Sequence, residues 1–165
     1  MSTVLIVEDI AEVRAWLVAV AHEAFPGISK VVGVGSRREA LDQVRGHEFA
    51  YALIDLGLPD GSGMDVLREV RNRAPETLCV ITTVMGDDAN IVSALSAGAQ
   101  GYLLKGQRRE LVVRQLSQLA DGIPALSPSI ALRIMEHFRL TGPVDDTHPA
   151  LTRREKDVLA LIARG

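Results

Sequence analysis

Apolar and polar positions fall in blocks along this chain. Five short apolar runs stand out: TVLIV (3–7), KVVGV (30–34), YALID (51–55), LCVIT (78–82) and GYLLK (101–105). They are continuous and rich in β-branched residues, the pattern of strands buried on both faces. Between them lie stretches such as AEVRAWLVAVAHEAF and GMDVLREVRNRA, with apolar residues at i, i+3, i+4 and i+7, the stripe of a helix lying on a core. Ser36-x-x-Glu39 and Ser62-x-x-Asp65 supply capping signals at helix starts. Strict strand–helix alternation over residues 1–121 predicts an α/β fold, a doubly wound parallel sheet.

After Gly122 the strand pattern stops. LSPSIALRIMEHFRL places Ser127 as an N-cap and Pro128 at the first helical position, which predicts a sixth helix over 128–140. Its apolar set is Ile130, Ile134, Met135 and Phe138, a face that needs a partner subunit or the domain itself. Residues 141–150 carry Gly, two Pro and two Asp and read as a connecting segment. A last helix is expected over 151–165: Thr152 and Glu155 form a capping box, and Leu151, Val158, Leu159 and Ile162 share one stripe. The organisation is therefore 1–121, then 122–150 with its helix, then 151–165.

Composition narrows the function classes. Apolar residues make up 47% and charged residues 24% of 165, near the globular average. Residues 1–121 hold 12 Lys and Arg against 16 Asp and Glu, and residues 122–165 hold 6 against 5. An acidic main domain is a poor binder of polyanions, whose affinity comes from neutralised phosphates. Cys79 is the only cysteine, so no internal disulfide forms, and its apolar run marks it as a small buried hydrophobe. The four histidines show no metal-ligand spacing. No apolar run approaches the ~18 residues of a membrane span, and the N-terminus enters a strand pattern without a signal-peptide n-region. No membrane association and a cytoplasmic location are the expectations.

In an open α/β sheet, ligands bind beyond the carboxyl ends of the strands. Strand 1 ends in Glu8 and Asp9, strand 3 in Asp55, strand 4 in Thr82 and Thr83, strand 5 in Lys105. Three converging carboxylates repel and need a cation. Hard oxygen donors with open positions suit Mg2+. Asp55 is then a candidate nucleophile toward phosphorus, because a carboxylate can form an aspartyl-phosphate, with Mg2+ and Lys105 neutralising the oxygens and a strand-4 hydroxyl donating to the new group. A rival pattern, Gly33-x-Gly35 followed by Asp55 about twenty residues later, imitates a dinucleotide fold. It fails because its third glycine position is Arg38 and because it sits on the second strand rather than opening the chain.

The segments VLIVED, ALIDLGLPDGSGMDVL, VITT and SAGAQGYLLK together resemble the receiver domain of two-component response regulators over residues 1 to about 121. That resemblance implies a flavodoxin-like five-stranded sheet in the order 2-1-3-4-5. It implies that Asp55 accepts a phosphoryl group, that Asp9 is a direct Mg2+ ligand, that Glu8 holds a metal-bound water, and that Gly57 offers its backbone carbonyl to the metal. Lys105 would pair with the phosphoryl oxygens. The family spacing back from the lysine selects Thr83 as the switch hydroxyl, with Thr82 facing the other way, and Tyr102 resembles the aromatic rotamer switch. Two positions depart from the pattern: Val84 stands where Ala is usual, and Gly106 follows the lysine where Pro is frequent.

The segment LTRREKDVLALIARG resembles the first helix of a LuxR-type helix-turn-helix domain, as in NarL/FixJ-type regulators. A helix-turn-helix reads DNA with its second helix, so DNA contact is expected only through further parts of such a protein. The resemblance implies a sensor histidine kinase, or a small phosphodonor, as the phosphoryl source, and phosphoacceptor chemistry rather than an enzyme's turnover. A homodimer is compatible with the sequence, through helices 1 and 5, the helix 4–helix 5 face or the 128–140 helix.

Overall fold

The computed structural model describes residues 2–84 and 87–141. The expected connecting segment and terminal helix, apart from residue 141, lie outside the described residues. The elements are β1 (Ser2–Val7), α1 (Ala11–Ala24), β2 (Ile28–Val34), α2 (Arg37–Gly46), β3 (Tyr51–Asp55), β4 (Gly57–Leu58), β5 (Gly61–Ser62) and α3 (Gly63–Arg73). Then follow β6 (Leu78–Thr83), α4 (Asp88–Ser96), β7 (Gly101–Leu104), α5 (Arg109–Ser117), a 3-10 turn (Leu119–Asp121), β8 (Ala125–Leu126) and α6 (Pro128–Thr141).

The main sheet runs β2-β1-β3-β6-β7-β8, and every pair in it is parallel. The five expected strands are all present in the expected order. The sixth, β8, is two residues long and pairs Ala125 and Leu126 with Gly101 and Tyr102. A run that short carries no periodicity, so the sequence pattern could not show it.

Alternation along the strands sends side chains into two apolar layers. Ile6, Leu53, Val80 and Leu103 pack with α1 and α5 on one face. Val7, Ile54, Ile81 and Tyr102 pack with α2, α3 and α4 on the other. Ser36 caps α2 as expected: its hydroxyl accepts from the Glu39 amide at 3.1 Å and donates to the Glu39 carboxylate at 3.2 Å. Ser62 also caps, but it accepts from the Met64 amide at 3.1 Å, and Asp65 turns away to Arg37.

The sixth helix lies on the domain itself. Ile130, Ile134 and Phe138 enter the same core as Ile91, Ala94, Leu95 and Tyr102, and Arg133 Nε pairs with Asp88 Oδ1 at 3.1 Å across to α4. Met135 leaves the expected apolar set: it is 49% exposed, because one residue past Ile134 turns about 100° off the stripe. Ser127 starts the helix with its carbonyl, which accepts from the Ala131 amide at 3.0 Å. Its hydroxyl is used elsewhere, accepting from the Leu104 amide at 2.9 Å and from Gln107 Nε2 at 2.6 Å. So α6 is pinned to the segment that carries Lys105.

If α6 is part of the domain core, Ile134→Ala lowers unfolding stability by about 2–4 kcal/mol, the range for truncating a buried aliphatic side chain, while Leu132→Ala on the exposed face changes it by less than about 0.5 kcal/mol. Denaturant melts of the two variants measure the difference.

Candidate functional site

The carboxyl ends of β1, β3, β6 and β7 lie side by side in the sheet. Counting alternation outward from Ile6, Leu53, Val80 and Leu103 puts Glu8, Asp55, Thr82 and Lys105 on the α1–α5 side. Thr83 falls on the other side, with Ile81 and Tyr102. The two threonines thus face opposite ways.

Lys105 Nζ forms an ion pair with Glu8 Oε2 and lies 3.2 Å from Asp55 Oδ2. Glu8 is fully buried, Asp55 is buried at 6% exposure, and Asp9 is exposed. Glu8 is held from both ends: its Oε1 accepts from the Ile10 amide at 3.2 Å, and Arg14 donates to its carbonyl at 2.8 Å. Asp55 Oδ1 accepts from the Gly57 amide at 3.4 Å. One carboxylate oxygen from each of Glu8, Asp9 and Asp55 lies within 4.8 Å of the other two.

That crowding decides the chemistry. Two full negative charges at such a separation repel by about 3–4 kcal/mol at an effective dielectric constant of ~20. Burial raises the Glu8 pKa above the usual carboxylate range; the hydrogen bond from Lys105 opposes this, and the Asp55 charge adds to it. One ammonium set against three carboxylates leaves an excess of negative charge, and oxygen-only donors around it suit a hard divalent cation.

The loop after Asp55 is fixed by contacts that the sequence reading missed. Gly57–Leu58 and Gly61–Ser62 form a small antiparallel hairpin. Both carboxylate oxygens of Asp60 cap α2, accepting from the amides of Arg37 at 2.7 Å and Arg38 at 2.9 Å. These bonds hold the Asp60 carboxyl below its ordinary range. Arg37 Nε then reaches Asp65 at 2.8 Å. The available signal was the turn triplet Pro59-Asp60-Gly61, which predicts a turn but not its docking on α2. Gly63 begins α3 directly against the end of β3: a Cβ there would run into the Asp55 carbonyl oxygen.

Tyr102 is fully buried, and its hydroxyl has no hydrogen-bond partner among the described residues. Burial, with the nearby Asp87 charge, pushes the phenol up to about 12. Val84 stands 72% exposed beyond β6. Gly106 follows Lys105 with φ of +92°, a left-handed conformation that glycine adopts without steric cost. Beside it, a groove of about 360 Å3 opens between α1 and the β7–α5 segment, lined in part by Val13, Trp16, Lys105 and Gln107. Among the described residues no helix is long and apolar enough to cross a membrane.

A family profile described as "Response regulator receiver domain" matches residues 4–117. The chain belongs to that family. This receiver is 30% identical over 165 residues, all of this chain and 76% of the relative, to the DNA-binding transcriptional activator DevR/DosR of Mycobacterium tuberculosis. It is 27% identical to the nitrate/nitrite response regulator protein NarL of Escherichia coli, over 99% of this chain and 76% of that one. A solved LuxR-family two-component response regulator from an Aurantimonas species superposes with a TM-score of 0.75 at 27% identity, covering 85% of this chain and 99% of that one. The receiver is thus that of a two-component response regulator of the NarL/LuxR type.

Because Gly63 leaves no room for a side chain, Gly63→Ala shifts α3 away from Asp55. The expected result is a loss of about 1–3 kcal/mol in a denaturant melt, together with weaker divalent-cation binding by isothermal titration. An unchanged cation affinity would show that the loop does not depend on this contact.

Proposed function

We propose that this receiver accepts a phosphoryl group on Asp55, from a sensor histidine kinase or a small phosphodonor, and that this controls a C-terminal DNA-binding domain. The observation that carries the reading is the reach of Lys105 across the sheet to Glu8 and Asp55, with Asp9 completing the carboxylate cluster. The names of the relatives support the regulatory part, since one is a DNA-binding transcriptional activator.

The donor set fits Mg2+: three clustered carboxylates with one exposed member, a hard-oxygen arrangement with open positions. Asp9 and Asp55 would bind it directly, Glu8 through a water, and Gly57 through its carbonyl. When bound, the cation neutralises negative charge on the incoming phosphoryl oxygens.

An Asp55 carboxylate oxygen attacks phosphorus and forms the new P–O bond. The bond from phosphorus to the donor's nitrogen or oxygen breaks, and its electron pair leaves with the donor. Lys105 keeps its charge and exchanges contact with the Asp55 carboxylate for contact with the phosphoryl group. On the opposite side of β6, Thr83 turns toward the new group and Tyr102 follows into the space beside it. Tyr102 suits that role because no hydrogen bond ties its hydroxyl down among the described residues. Its core neighbours on α4 and α6 then favour a second packing, a population shift that phosphorylation biases.

Intact mass measurement after incubation with Mg2+ and a small acyl phosphate tests this. One added phosphoryl group is expected in the wild type, and none in Asp55→Ala or without Mg2+. In parallel, Mg2+ at about 100 times its dissociation constant should stabilise the fold by about 2.7 kcal/mol, and Asp9→Asn should lose most of that gain. No adduct and no Mg2+-linked stabilisation would overturn the reading.

A further inference from the structure

Thr82 occupies a position that the phosphoacceptor reading leaves without a role. In the sheet, β6 lies between β3 and β7. Lys105 follows β7, yet its ammonium reaches Asp55 on β3 and Glu8 beyond it. Its side chain therefore crosses the end of β6. The β6 residue level with Asp55 in the parallel register is Thr82. Alternation from Val80 puts its side chain on the face that carries Asp55 and Lys105.

The hydroxyl at that point is unusual. Thr82 is buried at 3% exposure, and its Oγ1 has no hydrogen-bond partner among the described residues. Leaving a buried hydroxyl unpaired forfeits its hydration with nothing in exchange. Valine has the same shape without that cost. A buried hydroxyl without a partner among the described residues, level with Asp55 in the strand register, fits a donor whose acceptor arrives later.

We propose that Thr82 is a second hydroxyl of the phosphoryl site, donating to an oxygen of the acyl phosphate on Asp55 from the Lys105 side of β6, while Thr83 acts from the Tyr102 side. The proposal rests on the reading of Asp55 as the acceptor. No bond to the threonine oxygen is made or broken. The hydroxyl keeps its proton and shares it with a charged oxygen, and a hydrogen bond to an ionised acceptor is the stronger kind. Two hydroxyls from adjacent residues would then grip the phosphoryl group from both faces of one strand. Both are buried, Thr83 at 7% exposure.

The test uses Mg2+ with beryllofluoride, a stable stand-in for the phosphoryl group, titrated into the whole chain and into Thr82→Val and Thr82→Ser. Thr82→Val should melt at a higher temperature than the wild type before titration, since it removes an unpaired buried hydroxyl. It should also bind beryllofluoride roughly tenfold more weakly, the cost of one charge-assisted hydrogen bond. Thr82→Ser keeps the donor and should retain affinity within about threefold of the wild type. Equal affinity in Thr82→Val, with only the melting temperature changed, would overturn the proposal and leave Thr82 a packing residue. Equal loss in the valine and serine variants would also overturn it, since shape rather than the hydroxyl would then be responsible. If the wild type itself fails to bind beryllofluoride, the reading of Asp55 falls, and this proposal with it.

Discussion

The ammonium of Lys105 spans the edge of the sheet from β7 to Glu8 and Asp55, and much of the upper surface is arranged around it. A fully buried Glu8 carboxylate has lost its hydration, and a buried charge without a partner is costlier than the net worth of a good pair. Lys105 supplies that partner. The balance is incomplete by design of the cluster, because Asp55 and Asp9 add further negative charge nearby. The edge thus pairs its buried carboxylate with the lysine and keeps an excess of negative charge beside it.

The backbone around the lysine is correspondingly constrained. Arg14 and the Ile10 amide fix Glu8. Asp60 and Arg37 tie the segment after Asp55 to α2 and α3. The Lys105 amide donates to the Thr83 carbonyl at 2.6 Å, and Gln107 joins the next segment to Ser127. The Lys105 backbone is therefore tied to Thr83 on one side, and its neighbours Leu104 and Gln107 to the start of α6 on the other.

Continuous apolar runs made the five long strands legible, because a strand buried on both faces must be apolar at successive positions. The strand-end residues were legible for the same reason: once the strands were placed, Glu8, Asp9, Asp55, Thr82, Thr83 and Lys105 fell at one edge, and only the family spacing back from the lysine picked Thr83 from its neighbour. The rest depended on contacts between distant segments. Nothing local in Asp60 says that it caps α2, and nothing local in Gly63 says that the Asp55 carbonyl occupies its side-chain space. Ser127 showed a capping signal, and its carbonyl does start α6, but its hydroxyl serves Leu104 and Gln107 instead. Met135 was placed in the apolar set with Ile130, Ile134 and Phe138; only the packing on α4 shows which side of the helix is covered.

The Ser127 contact has a consequence for how this protein meets other copies of itself. A strand at the rim of a sheet normally shows a row of unpaired amides and carbonyls, an invitation to add a strand from another chain. Along the outer side of β7 that row is already used: the Gln100 carbonyl accepts from the Ala125 amide, the Tyr102 carbonyl from the Ser127 amide, and the Leu104 amide donates to the Ser127 hydroxyl. A single serine side chain does for the last position what another residue of strand would do. β8 and the Ser127 hydroxyl thus occupy the outer side of β7, where a strand from another chain would otherwise pair.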